Sequence, residues 1–157
     1  MSTDSQEISA LLKEARPGIN AGTPSEWLRE TGSYVGALVY RTLYWPEVVE
    51  VSGAYFVNLH GLGEQEIARR VRSMETTSRQ DWESLVNSFN HFEMSDLFAL
   101  RDTSVSESQQ MQVSLAESLV ALWKARLSQV ASEKQFTVRL APPEPELGVC
   151  LEVRGLA

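Results

Sequence analysis

The last third of the chain constrains the fold most. A long amphipathic helical pattern over about residues 106–134 runs straight into two segments of alternating polarity. Residues 136–140 read Phe-Thr-Val-Arg-Leu, and residues 147–153 read Leu-Gly-Val-Cys-Leu-Glu-Val. Between them lie Ala141, Glu144, Glu146 and the prolines Pro142, Pro143 and Pro145, which read as a turn. A period near 3.6 that gives way to a period of two predicts a helix followed by an antiparallel hairpin. Pairing Leu140 with Leu147 sets Val138 opposite Val149 and Phe136 opposite Leu151, all on one face as burial requires. Thr137, Arg139, Cys150 and Glu152 then share the other face. Within the helix, Ala116, Val120, Trp123, Leu127 and Val130 form a stripe that Leu115, Leu119 and Leu122 widen. A face that broad predicts burial against both a sheet and another helix.

Residues 47–59 are rich in β-branched and aromatic side chains and predict more sheet. Ser52-Gly53 suits a two-residue turn between Glu47–Val51 and Ala54–Asn58. One long strand bent at Gly53 is the alternative, because Val49, Val51, Tyr55, Val57 and Leu59 would keep a single face. Upstream, Thr23-Pro24-Ser25-Glu26 is a capping box with proline at the first helical position. That helix is expected to run to about Tyr44, since Pro46 disfavours helix at Trp45. Gly32 and Gly36 lie four apart on it and predict close approach of another element.

Helical spacing recurs twice more. Ile67, Val71 and Met74 share a face in residues 63–75, and Trp82, Leu85, Val86 and Phe89 share one further on. Ser95 caps a short turn containing Leu97 and Phe98. Residues 1–22 carry one short pattern, Ile8, Leu11, Leu12 and Ala15, ended by Pro17-Gly18. This N-terminal helix is either mobile or docked peripherally. The sum is a single α+β domain. An antiparallel sheet of about three to four strands (47–59, 136–140, 147–153) packs with helices, and a chain of 157 residues can bury one adequate core.

Charge narrows the function. Lys plus Arg number 14 against 21 Asp plus Glu, a net −7. Such a chain repels a phosphate backbone, so no nucleic-acid partner is expected; the densest basic cluster, Arg69, Arg70 and Arg72, is small. No apolar run reaches the ~20 residues needed to span a bilayer, so no membrane partner is expected either. The N-terminus lacks the basic and apolar regions of a signal peptide. With one cysteine, Cys150, an intrachain disulfide cannot form. These features point to a soluble cytoplasmic protein.

The residues of catalysis are sparse. His60 precedes Gly61-Leu62-Gly63, but the third glycine of a dinucleotide fingerprint and the Gly-Lys-Ser/Thr of a P-loop are both absent. His91-Phe92-Glu93 has the His-x-Glu of zinc deaminases without the two cysteines that would complete it. His91 reads instead as a helix C-terminal residue near the local dipole. No metal site and no cofactor is predicted, and Cys150 reads as an ordinary strand residue.

One constellation remains. Asp81, Glu83, Glu93, Asp96, Asp102 and Glu107 face a single cation, Arg101, and are interleaved with Trp82, Phe89, Phe92 and Phe98. Solvated outer faces of core helices explain such a bias. The sharper reading is a partner-binding surface, Asp81, Glu83, Glu93, Asp96 and Asp102, for a basic protein. Acidic inhibitors and immunity-type proteins use such surfaces through charge complementarity. The leading expectation is therefore a non-catalytic protein-binding module recognising a basic macromolecular surface. A small enzyme or ligand-binding domain with a pocket near Tyr55, His60 and His91 is the first alternative. An assembly subunit that self-associates through the Gly32/Gly36 face or an open sheet edge is the second.

Overall fold

Capping residues set the helix boundaries of the first half. The computed structural model describes residues 3–74, 76–97, 105–142 and 148–157. Its first helix, α1, spans Thr3–Ala15. Leu11, Leu12 and Ala15 are half-buried, and α1 lies against the long helix described below. The capping box at Thr23 and Glu26 starts α2, Pro24–Thr31. The expected single helix to Tyr44 is broken. Gly32 caps α2 by donating its N–H to the Leu28 carbonyl, and the Ser33 hydroxyl accepts from Gly36 N–H at 2.9 Å to start α3, Tyr34–Tyr44. Thus Gly32 and Gly36 serve local caps, not the approach of another element. A Cβ on Gly32 would run into the carbonyl of Leu28 in its own preceding turn.

The hairpin reading of residues 47–58 holds. β1, Glu47–Val51, pairs antiparallel with β2, Ala54–Asn58, with Val51 opposite Ala54 and Val49 opposite Phe56. Ser52 and Gly53 both have positive φ, 54° and 78°, the condition for a type I′ turn that matches strand twist. α4, Glu64–Ser73, buries Ile67 and Val71 but leaves Met74 exposed at its C-cap. α5, Arg79–Phe89, starts at a second capping box, Ser78 with Asp81, and buries Leu85 and Val86.

A strand that the sequence pattern does not reveal follows at once. β3, His91–Glu93, leads into the short helix α6, Met94–Leu97. Phe98 lies outside the described residues. α7 spans Val105–Val130, and Ala116, Leu119, Trp123 and Leu127 are fully buried along it. The expected stripe is therefore shifted: Val120 and Val130 flank it, and Leu122 is exposed.

β4, Thr137–Leu140, and β5, Cys150–Arg154, form the expected antiparallel pair, and β5 sits centrally in the order β3-β5-β4. The register differs from expectation by four residues. Val138 faces Val153, not Val149, and Leu140 faces Leu151; Leu147 lies outside the described residues. An even shift keeps every apolar side chain on the same face, so alternation alone cannot choose between the two registers. What the observed register adds is Arg139 opposite Glu152.

The two sheets are stitched together by the Asn90 side chain and one main-chain bond. Asn90, fully buried, accepts from Val57 N–H at 2.8 Å through Oδ1 and donates to the Tyr55 carbonyl at 3.0 Å through Nδ2. Its own carbonyl accepts from Val153 N–H at 2.9 Å, and Tyr55 N–H donates to the Leu156 carbonyl at 2.9 Å. Asn90 thus extends β3 by one residue and carries the edge of β2 onto β5. Phe56 stacks edge-on with Phe89 of α5 at 5.5 Å, and Phe92 with Trp123 of α7 at 5.2 Å. The helices cover the sheets through these rings.

Candidate functional site

The positions singled out from sequence fall in three places. The first is a cleft of about 310 Å³ between β2, α4 and α5, whose lining includes Asn58, His60, Arg70, Ser88, Phe89 and His91. His60 and His91 both line this cleft. Tyr55 is not among the lining residues. Its hydroxyl is engaged with Glu133, which, with burial and further carboxylate charge, pushes its pKa up to about 12. Asn58 is also committed, donating at 2.7 Å both to Glu47 and to the Leu62 carbonyl. Arg70 holds Glu66 at 2.9 Å, and Arg69 holds the same carboxylate at 2.7 Å. Those contacts, Arg69 first and then Arg70, pull Glu66 down to about 2, and they neutralise part of the basic cluster.

His91 is not the helix-terminal residue that its sequence position suggested. α5 ends at Phe89, with Asn90 as C-cap, and His91 opens β3 opposite Glu152. Its Nδ1 lies 4.0 Å from Glu152, while its Nε2 is buried without a hydrogen-bond partner. Glu152 itself, 2% exposed, takes Arg139 at 2.6 Å on one oxygen and Arg154 at 2.8 Å on the other. Burial alone would raise this carboxyl; the hydrogen bonds from Arg154 and then Arg139 outweigh it and hold the group below the ordinary glutamate value. A buried carboxylate clamped by two guanidiniums reads as sheet architecture more than chemistry, because neither oxygen is left for a substrate. Among the described residues no group of three or more His, Cys, Asp or Glu side chains is placed to hold a metal. Cys150 is buried in β5 opposite Glu93.

The second place is the acidic segment, and its members are put to different uses. Asp81 accepts from Thr77 and Ser78 and closes the cap of α5, which holds its carboxyl below the usual range. Glu83 pairs with Arg79 one turn away at 2.9 Å. Glu93 is half-buried in β3, and Asp96 is exposed on α6. Asp102 lies outside the described residues. The first pair sits at the start of α5 and the second beyond its end, so α5 separates them.

The third place enters the sequence reading only through Gly32 and Gly36, as the face of a self-associating assembly subunit. α3 buries only Leu43. Tyr34 is 93% exposed, Val35 74%, Leu38 64% and Val39 61%. A helix normally turns its apolar stripe inward; this one turns it out. The Gly32-Ser33 break separates α3 from α2, and Trp123 and Arg126 of α7 hold its C-terminal end. Trp123 donates to the Leu43 carbonyl at 2.7 Å, and Arg126 donates to Pro46 at 3.1 Å and lies 5.7 Å over the Trp45 ring. The sequence signal was present: residues 32–46 hold one charged side chain, Arg41, in a chain that is 22% charged. A second apolar hollow, of about 650 Å³, lies between α1, α3 and α7 and is lined by Leu11, Leu12, Tyr40, Tyr44, Met111 and Leu115.

No described helix is long and apolar enough to cross a membrane. Comparison of the chain with protein-family models, with curated proteins and with solved structures finds no match.

Proposed function

We propose that this chain is a non-catalytic protein-binding module whose docking surface is the outer face of α3. The exposure of Tyr34, Val35, Leu38 and Val39 on one short helix is the observation that carries this reading. Contiguous apolar surface of that kind marks an interaction site on a folded protein, whereas scattered single residues do not. Aromatic side chains at such a face contribute most per residue to binding. The acidic groups Glu83, Glu93 and Asp96 act at most on encounter with a basic surface, since they neither converge nor adjoin a pocket.

Chemical footprinting of tyrosines tests this. In a native lysate Tyr34 should be protected relative to the dilute purified chain, and Leu38→Asp should abolish the protection. A Tyr34 equally reactive in both would overturn the reading.

The buried, unpartnered Nε2 of His91 favours a second reading, a small-ligand domain using the cleft beside His60. Titration with inorganic phosphate and small carboxylates should then move the His60 and His91 imidazole resonances together. Unmoved resonances would remove it.

A further inference from the structure

The exposed stripe of α3 is complementary to itself. At roughly 3.6 residues per turn, Tyr34, Leu38 and Arg41 fall in one line along the solvent side, with Val35 and Thr42 beside it. Leu43, the residue that α3 buries, lies on the opposite side. We propose that the occupant of this face is a second copy of the chain, packed α3 on α3, antiparallel, about a two-fold axis at Leu38. This rests on the docking reading above and names its partner.

Three observations carry it. The first is pairing. Antiparallel alignment about Leu38 sets Tyr34 of one copy, four residues before the axis, against Arg41 of the other, three residues after it. A guanidinium over a phenol ring is attractive, and two-fold symmetry makes the contact twice. Among the described residues the Arg41 guanidinium has no ion-pair partner. A parallel packing would instead set Arg41 against Arg41.

The second is charge. Two copies at net −7 repel each other, yet residues 32–46 contain no acidic side chain. Here two copies meet without opposing carboxylates, and antiparallel helix dipoles add a favourable term. A basic foreign surface would meet Arg41 at this same face. The third is area. Tyr34, Val35 and Leu38, the apolar residues of this face, expose on the order of 400 Å², taking ~150–250 Å² for a full aromatic side chain, about half of the ~800 Å² per partner of a standard interface, which fits a weak dimer and not a permanent one.

Sedimentation of the purified full chain tests the proposal. The chain should dimerise with a Kd on the order of micromolar. Leu38→Asp should be monomeric throughout, with a melting temperature equal to that of the wild type at concentrations well below the Kd, since Leu38 is largely exposed. Arg41→Glu, which disturbs no contact within the fold, should weaken the dimer about tenfold. Oxidation should cross-link Leu38→Cys to itself, while Tyr34→Cys and Arg41→Cys should cross-link only when mixed. Self-linking of Tyr34→Cys, or a dimer that survives Leu38→Asp, would overturn the arrangement. A wild-type monomer at about 100 µM would overturn self-association outright. If Tyr34 were then still protected in lysate, the face would belong to a foreign protein and the docking reading would stand.

Discussion

The indole Nε1 of Trp123 donates to the main-chain carbonyl of Leu43 at 2.7 Å, joining the middle of α7 to the end of α3. Both residues are buried, Trp123 completely. The Leu43 carbonyl lies in the last turn of α3, where carbonyls lack helical partners and need one from elsewhere. This bond anchors one end of α3 while its outer face stays in solvent.

Trp123→Ala should therefore cost about 3–5 kcal/mol, the range for large-to-small aromatic changes in a packed core. Trp123→Phe should cost less, about 1–3 kcal/mol, because the ring contact with Phe92 is kept and mainly the Leu43 carbonyl loses its partner. Denaturant melts give both values. A loss below ~1 kcal/mol for the alanine variant would place Trp123 outside the core.

Asn90→Ala should loosen the seam between the two sheets. It leaves Val57 N–H and the Tyr55 carbonyl without partners in a buried place, at ~1–3 kcal/mol for each group left unsatisfied. Hydrogen exchange should show the amide of Val57 losing protection while the β4–β5 pairing persists. Asn90→Asp would set a buried carboxylate against the Tyr55 carbonyl and should cost at least as much as alanine at pH 7.

Glu152 gives a pH dependence of known sign. Its carboxyl in the folded chain lies below the ordinary glutamate value of 4.5. The clamp to Arg139 and Arg154 is thus fully present above pH 4.5 and is lost as pH falls through the lower folded value. Stability should drop over that acidic window by about 1–3 kcal/mol, the worth of hydrogen bonds to a charged group. Glu152→Gln should flatten this part of the profile and destabilise the protein at pH 7. Equal acid sensitivity in both proteins would assign the loss to other carboxylates.

The sequence by itself determined the elements whose signal is local. The capping boxes at Thr23 and Ser78, the Ser52-Gly53 turn and the burial of Trp123 depend on residues within a turn or two of one another. It also determined which faces of β4 and β5 are apolar. It did not determine their register, because a shift of four residues leaves the apolar pattern unchanged. The cross-strand clamp of Glu152 by Arg139 marks the chosen register, and Gly155 fits it closely: a Cβ there would run into the carbonyl of Gln135. β3 was illegible because three residues are too short to show a period, and its place in the sheet comes from β5 beside it. The break at Gly32-Ser33 was written locally but masked by the apolar pattern that continues through it. Which way α3 faces was a tertiary matter altogether. Its stripe is apolar whether it packs inward or outward, and only the anchoring of Leu43 by Trp123 turns it to solvent.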